Sequence, residues 1–290
     1  MEQRRLGRTE HRSSVAVLGA AAFSRCTLGE AETGFELALS RGVNHVDIAP
    51  TYGHAEVVVG AHIAAARDRL FVAGKSDRSN PDGVRAHLDR TLTRLGTDHL
   101  DLYQLHGVTS LDVLEQRSAA AEVILAARDQ GLTRFVGVTG HDLGTPRAQL
   151  EALRRYDLDT VMFPIYPRVW ADPVYRTDAE ALLAECAARD VGVMVIKAAA
   201  RRPWGDQEAE QTTWYQPHTD PEAIARGVAF ALSTEGVHAF CTAGDLGLLP
   251  TVLDAAEAYR PLDRSARDAA MAATADDEVI FPLLEKARRR

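Results

Sequence analysis

The stretch LFVAGK, residues 70–75, is a short apolar run that ends in a lysine, and similar runs recur along the 290-residue chain. The other runs are VAVLGA from Val15, HVDIA from His45, DLYQLH from Asp101, FVGVTG from Phe135, TVMFPI from Thr160, VGVMVIK from Val191 and HAFCTA from His238. Most of them lack the alternation of a half-exposed strand. This pattern is typical of parallel strands that are covered on both faces.

Amphipathic segments separate these runs. Asn80 and Pro81 stand at the N-cap and first position of one predicted helix, and Asp220 and Pro221 repeat the arrangement in another. Alternating strands and helices predict a (β/α)8 barrel in which residues 1–290 form a single domain. A doubly wound sheet is the alternative, and the absence of G-x-G-x-x-G after the first strand disfavours it.

The charge and the N-terminus limit the partners that the protein can have. A formal charge of -8 argues against nucleic acid or an anionic membrane as the main partner. No apolar run approaches the roughly 18 residues of a membrane-spanning helix. Arg4 and Arg5, followed by an apolar run from Val15, resemble a twin-arginine signal. No small-residue cleavage site follows, so we predict two short strands and then the first barrel strand.

Cysteine usage indicates the compartment. Cys26, Cys186 and Cys241 are too few and too scattered for a disulfide framework or a zinc site. Free thiols fit a reducing environment, so we expect a cytoplasmic protein without a bound metal.

Polar side chains follow three successive predicted strands. Asp47 lies late in the second strand, Tyr52 in the loop after it, Lys75 at the end of the third and His106 at the end of the fourth. Only three of the 33 Lys and Arg residues are lysines, which indicates that an amine is needed at Lys75. Catalytic groups of such barrels lie at the carboxyl ends of strands, so we expect these four around one mouth. A lysine lowers the pKa of a neighbouring tyrosine, so the pattern predicts a proton-donating site.

The chain resembles the aldo-keto reductase family over nearly the whole length of the chain. The matching segments are residues 4–23, 42–60, 72–76, 90–108, 131–143 and, more weakly, 192–200. The resemblance implies a barrel closed below by an N-terminal hairpin, and hydride transfer from NADPH to an aldehyde or ketone. It implies that Tyr52 is the proton donor, that Asp47 and Lys75 tune it, and that His106 orients the substrate.

The resemblance also implies where a nicotinamide cofactor binds. The expected residues are Thr139, Gly140, Ile196, Lys197, Arg201, Gly244 and Asp254. Thr139 and Gly140 replace the family's usual Ser-Asn, and Ile196 replaces an aromatic residue. After the eighth strand the family's basic residues are missing, and Asp245 would repel a phosphate. NADPH is the expected cofactor, and NADH stays open.

The substrate is expected to be a small carbonyl compound, and the sequence leaves its identity and the oligomeric state open. The irregular stretch from about Ala199 to Thr219 predicts a lid or substrate wall. The candidate wall residues are Phe23, Trp170, Trp204, Trp214 and Tyr215. The segment after Tyr259 is predicted to be helical to its end, with residues 288–290 as a solvated tail.

Two other hypotheses remain. The altered loop after the eighth strand also fits a non-catalytic barrel that binds nicotinamide cofactor as a sensor or partner subunit. Lys75 and Lys197 both end barrel strands, which also fits a Schiff-base aldolase or lyase. Pairing with Asp47 should keep Lys75 protonated, and this disfavours that role for Lys75.

Overall fold

The computed structural model describes residues 1–282. The chain begins with an antiparallel hairpin of two short strands, β1 (Gln3–Arg5) and β2 (Arg12–Ser14). This confirms the predicted strand pair ahead of the first barrel strand.

Eight parallel strands then form a closed barrel, in which each strand pairs with the next and the last pairs with the first. They are β3 (Ala16–Gly19), β4 (His45–Asp47), β5 (Phe71–Ser76), β6 (Leu100–His106), β7 (Thr133–Thr139), β8 (Thr160–Pro164), β9 (Gly192–Ile196) and β12 (Ala239–Cys241). Between β9 and β12, the short strands β10 (Ala200–Arg202) and β11 (Gln216–Pro217) pair antiparallel. All eight apolar runs therefore become barrel strands, and the predicted fold class is confirmed.

Helices surround the barrel. They are α1 (Leu28–Ser40), α2 (Ala55–Ala65), α3 (Pro81–Leu95), α4 (Leu111–Gln116), α5 (Ser118–Asp129), α6 (Thr145–Arg155), α7 (Pro167–Trp170), α8 (Pro173–Ala188), α9 (Pro221–Leu232), α10 (Leu249–Ala258) and α11 (Arg264–Ala272). The Asn80 side chain accepts a hydrogen bond from Gly83 N at 2.7 Å, and the Asp220 side chain accepts one from Ala223 N at 2.9 Å. Both predicted N-caps are confirmed. None of the helices within residues 1–282 is long and apolar enough to cross a membrane.

The N-terminal hairpin closes the amino end of the barrel. Leu6 is fully buried in a cluster of inward-facing barrel residues that includes Phe71 and Met194. The Arg8 backbone N–H donates to the carbonyl of Asp190 at 2.6 Å, just before β9 begins. His11 stacks on Phe71, the first residue of β5, with ring centroids 4.4 Å apart. The opposite, carboxyl end of the barrel is left open.

The segment after Tyr259 corrects one prediction. Helix α11 ends at Ala272, and residues 277–282 are not helical. The N–H groups of Glu278 and Ile280 donate instead to the Arg201 carbonyl at 3.0 Å and to the Tyr166 hydroxyl at 3.2 Å. Residues 283–290, including the predicted arginine tail, lie outside the described part of the chain.

Candidate active site

A buried ion pair lies at the carboxyl end of the barrel. Asp47 ends β4 and Lys75 lies one residue before the end of β5, so the two side chains meet across adjacent strands. The Lys75 ammonium donates to the Asp47 carboxylate, and the exposed fractions of the two residues are 1% and 3%. Gln104 Nε2 donates to the other Asp47 oxygen at 3.3 Å. Burial opposes the charge of Lys75, but Asp47 and Tyr52 raise its pKa above the ordinary value. Lys75 is therefore held as a cation.

Tyr52 stands over this pair in the loop after β4. The Lys75 ammonium lies 5.3 Å from the centre of the Tyr52 ring. Burial raises the pKa of Tyr52 and Lys75 lowers it, with burial outweighing the lysine. The expected effect of Lys75 is present, yet the net shift is upward. The phenol is thus fully protonated at neutral pH, with a cation beside it.

His106 ends β6 and completes the group. Its ring lies edge-on to that of Tyr52, with centroids 5.9 Å apart. Burial, and then the charge of Lys75, lower its pKa well below the ordinary value. Its Nδ1 atom is buried and has no hydrogen-bond partner within the described residues. The imidazole is therefore neutral, which suits hydrogen bonding to a carbonyl better than carrying charge.

A cleft of ≈ 690 Å³ opens above these residues and brings together all four predicted catalytic side chains. This volume lies in the usual range for small-molecule sites. Thr139, Ile196, Lys197 and Gly244, four of the predicted cofactor residues, also line it.

Three other predicted cofactor residues are not among those that line the cleft. Arg201, in β10, faces the C-terminal segment, with Nε 3.8 Å from Asp277 Oδ1. Asp254, in α10, is exposed and pairs with Arg41 at 2.6 Å. Gly140 is closely packed, since a Cβ atom there would lie 2.2 Å from the Val108 carbonyl oxygen and 2.7 Å from Thr145 Cγ2. Arg201 lies in a strand outside the barrel and Asp254 in a helix, and the sequence alone did not separate these positions from the barrel strand ends.

The aromatic wall is smaller than the sequence predicts. Of the five candidates, Trp214 and Tyr215 line the cleft. Phe23 is fully buried in the core, and Trp170 packs on Phe230 with ring centroids 6.4 Å apart. Trp204 is also buried and donates from Nε1 to the Thr213 carbonyl at 2.9 Å.

Lys197 joins the two aromatic wall residues. Its ammonium lies 4.6 Å from the Trp214 ring centre and 4.7 Å from that of Tyr215. Burial lowers its pKa to about 7, and Lys75 contributes in the same direction, while Cys241 opposes the shift. Unlike Lys75, this amine is partly neutral at physiological pH.

Sequence reasoning missed several residues of the cleft. Arg117, His141, Thr213 and Cys241 all line it. Arg117 lies between α4 and α5, where no motif marks it. His141 directly follows Thr139 and Gly140, so its distance from a strand end was a usable signal.

Comparison with known proteins identifies the family. The sequence model of the Aldo/keto reductase family matches residues 17–263. The chain belongs to the aldo/keto reductase family. Among solved structures, aldo-keto reductase AKR11C1 from Bacillus halodurans (holo form) superposes with a TM-score of 0.73 at 20% identity, covering 99% of both chains. At 20% identity this superposition shows only that the two proteins share a fold.

Two curated relatives match shorter segments. The uncharacterized oxidoreductase YqkF of Bacillus subtilis is 29% identical over 153 residues, which are 48% of this chain and 49% of YqkF. The NAD/NADP-dependent indole-3-acetaldehyde reductase of Schizosaccharomyces pombe is 35% identical over 108 residues, covering 35% and 37% of the two chains. This aldo/keto reductase family member thus spans about half the length or less of the curated relatives it matches.

Proposed function

We propose that the protein reduces an aldehyde or ketone to an alcohol with a nicotinamide cofactor, and that Tyr52 is the general acid. The observation that carries this proposal is the buried Lys75–Asp47 pair beside Tyr52 and His106 in one cleft. Membership of the aldo/keto reductase family supports the same reaction class.

Tyr52 would donate a proton to the carbonyl oxygen as negative charge develops there. Its raised pKa keeps the proton in place until that charge appears. Lys75, held charged by Asp47, then stabilises the phenolate that remains, as a preorganised electrostatic site does. The neutral His106 ring can donate a hydrogen bond to the same carbonyl oxygen and orient it.

The lining residues fit a nicotinamide cofactor. The Thr139 hydroxyl and the Lys197 ammonium are donors for amide or phosphate oxygens, and Ile196 offers an apolar contact for a flat ring. Gly244 leaves room beside the strand end. When bound, the cofactor supplies the hydride.

The choice between NADPH and NADH stays a prediction in favour of NADPH. Arg201 and Asp254, two of the residues expected to bind the cofactor, both lie outside the cleft. The Asp245 carboxylate accepts a hydrogen bond from Thr212 N at 2.8 Å. A relative whose name includes both cofactors supports keeping NADH as the alternative.

The test combines cofactor binding with turnover. Wild type should bind NADPH or NADH, measured by quenching of tryptophan fluorescence, and should reduce members of a panel of aldehydes and ketones. Tyr52→Phe should lower kcat by about 10²- to 10⁴-fold, the range for loss of a general acid, with unchanged cofactor affinity. Tyr156→Phe, at a tyrosine outside the cleft, is the matched control and should leave kcat unchanged.

Each alternative predicts a different result. Full turnover by Tyr52→Phe would remove Tyr52 from the mechanism. Cofactor binding by wild type without turnover on any carbonyl would favour the sensor or partner-subunit hypothesis. The Schiff-base hypothesis is disfavoured for Lys75 by its raised pKa and stays a hypothesis for Lys197.

A further inference from the structure

A small recess walled by nitrogen atoms opens off the cleft beside His106. We call it the Gly107 recess, and it is formed by Gly107, Arg117 and His141, all three of which line the cleft. A Cβ atom placed on Gly107 would meet Arg117 Nη1, Arg117 Nη2 and His141 Nε2, each at 3.9 Å, and, apart from the adjacent residues of the chain, no heavy atom closer. The space beside Gly107 therefore admits an atom in van der Waals contact with two guanidinium nitrogens of Arg117 and a ring nitrogen of His141.

Arg117 carries unused donors at this place. Its Nη1 donates to the carbonyl of His106, and within residues 1–282 it forms no salt bridge with a carboxylate. A guanidinium has five N–H donors and stays protonated in proteins. Burial lowers the pKa of Arg117, and the charge of Asp77 opposes this shift. A half-buried cation without an ion-pair partner is costly unless a ligand supplies the anion.

None of the three acidic residues that line the cleft within the described chain forms an ion pair with Arg117. Asp47 is paired with Lys75. Asp142 Oδ1 accepts a hydrogen bond from Leu143 N at 2.7 Å. Asp77 Oδ1 is buried and has no hydrogen-bond partner among the described residues, and its charge opposes the lowering of the Arg117 pKa by burial without an ion pair between the two. The positive charge of Arg117 therefore remains available to a ligand.

The Gly107 recess lies close to the proposed catalytic residues. The ring of His106 lies 5.4 Å from that of His141 and 5.9 Å from that of Tyr52, measured between centroids. The recess and the proposed proton donor therefore both adjoin His106. A compact substrate can reach both.

We propose that the substrate is a carbonyl compound that also carries a carboxylate, and that Arg117 binds this carboxylate in the Gly107 recess next to His141. This inference rests on the proposed reductase function. The planar fork of a guanidinium matches a carboxylate with two parallel hydrogen bonds, which a lysine cannot reproduce.

The kinetic test uses 4-carboxybenzaldehyde and its neutral methyl ester, methyl 4-formylbenzoate. Wild type should prefer the acid by about 10-fold or more in kcat/KM, since charge-assisted hydrogen bonds to the acid are lost with the ester. Arg117→Gln should lower kcat/KM for the acid by about 10- to 100-fold and leave that for the ester within about threefold. The preference of Arg117→Lys for the acid should lie between those of wild type and Arg117→Gln.

The matched control is Arg154→Gln, which removes an exposed arginine of α6 that lies 3.7 Å from Glu151. It should keep the wild-type preference. If Arg117 had only a structural role, through its hydrogen bond to the His106 carbonyl, Arg117→Gln would instead lower kcat/KM equally for both substrates. Equal use of acid and ester by wild type would also overturn the inference, while leaving the proposed reductase function in place.

Binding without cofactor separates the two proposals. Calorimetry should show that benzoate binds wild type at least 10-fold more tightly than benzamide, that Arg117→Gln loses most of this difference and that Arg117→Lys is intermediate. If benzoate binds in this way but wild type reduces neither aldehyde, the anion site would be supported and the reductase function contradicted. Weaker NADPH binding in Arg117→Gln, with unchanged benzoate binding, would assign the guanidinium to the cofactor and overturn the inference.

Discussion

A single carboxylate keeps a lysine charged at the base of the cleft, and this dependence can be measured. Asp47→Asn would leave the Lys75 ammonium, 1% exposed, without its anionic partner. We expect the free energy of unfolding to fall by about 3–5 kcal/mol, as is typical when one partner of a buried pair is removed. Urea denaturation at pH 7 measures the change.

Asp254→Asn is the control for this substitution. It also removes a carboxylate from an ion pair, with Arg41, but the Asp254 side chain is 68% exposed. Its effect should be about 0–1 kcal/mol. Equal losses for the two variants would show that burial does not strengthen the dependence of Lys75 on Asp47.

At the same scale, the sequence predicted the polar group at the strand ends but not the rest of the cleft. Asp47, Lys75 and His106 follow apolar runs, and the geometry of a parallel barrel brings such positions together. Arg117 comes from a junction of two helices, where no periodicity indicates which side chain turns inward. Trp170 looked like a wall residue because composition alone cannot distinguish a core aromatic from a cleft aromatic.

At the scale of elements, the barrel strands and capped helices followed from local signals. Apolar runs became strands because both of their faces are covered, and Asn80 and Asp220 began helices because their side chains accept backbone N–H groups. The end of α11 did not follow from local signals. It depends on contacts of residues 278 and 280 with Arg201 and Tyr166, which are distant in sequence.

Helix α9 packs closely against the residue that follows Lys197, and a glycine makes this possible. A Cβ atom on Gly227, in α9, would lie 2.0 Å from the carbonyl oxygen of Ala198, the residue after Lys197. Gly227→Ala should therefore destabilise the protein by about 1–3 kcal/mol through overpacking, although alanine favours a helix by up to about 1 kcal/mol. Thermal unfolding measures the outcome.

Gly29→Ala in α1 is the matched helical control, because a Cβ atom there meets no heavy atom within 4 Å. It should leave the unfolding temperature unchanged or slightly raised. A Gly227→Ala protein as stable as this control would mean that α9 can move away from Ala198 at little cost.

At the scale of the whole molecule, the half-buried His11 and the buried His45, at the closed end of the barrel, should make the fold sensitive to acid. Burial lowers the pKa of His11 to about 4 and that of His45 well below its ordinary value. Between about pH 4 and 6.5 the unfolded chain binds protons that the folded protein does not bind. Stability should therefore fall as pH drops below about 6.5, and should not depend on these groups above pH 7.

His11→Phe tests this linkage, because phenylalanine can keep the stacking on Phe71 but cannot titrate. Between pH 7 and pH 5, wild type should lose about 1–2 kcal/mol more stability than the variant, allowing for solvent screening of a partly exposed ring. Urea midpoints at the two pH values give the comparison. Parallel curves for the two proteins would show that His11 is not the titrating group.

The hairpin that closes the amino end has a practical consequence for handling the protein. Residues 1–14 lie at the end of the barrel opposite the cleft, with Leu6 buried between them and the barrel interior. A linker attached at Met1 would anchor the molecule with its cleft facing away from a sensor chip or resin. Ligand access in an immobilised sample should then equal that in free solution.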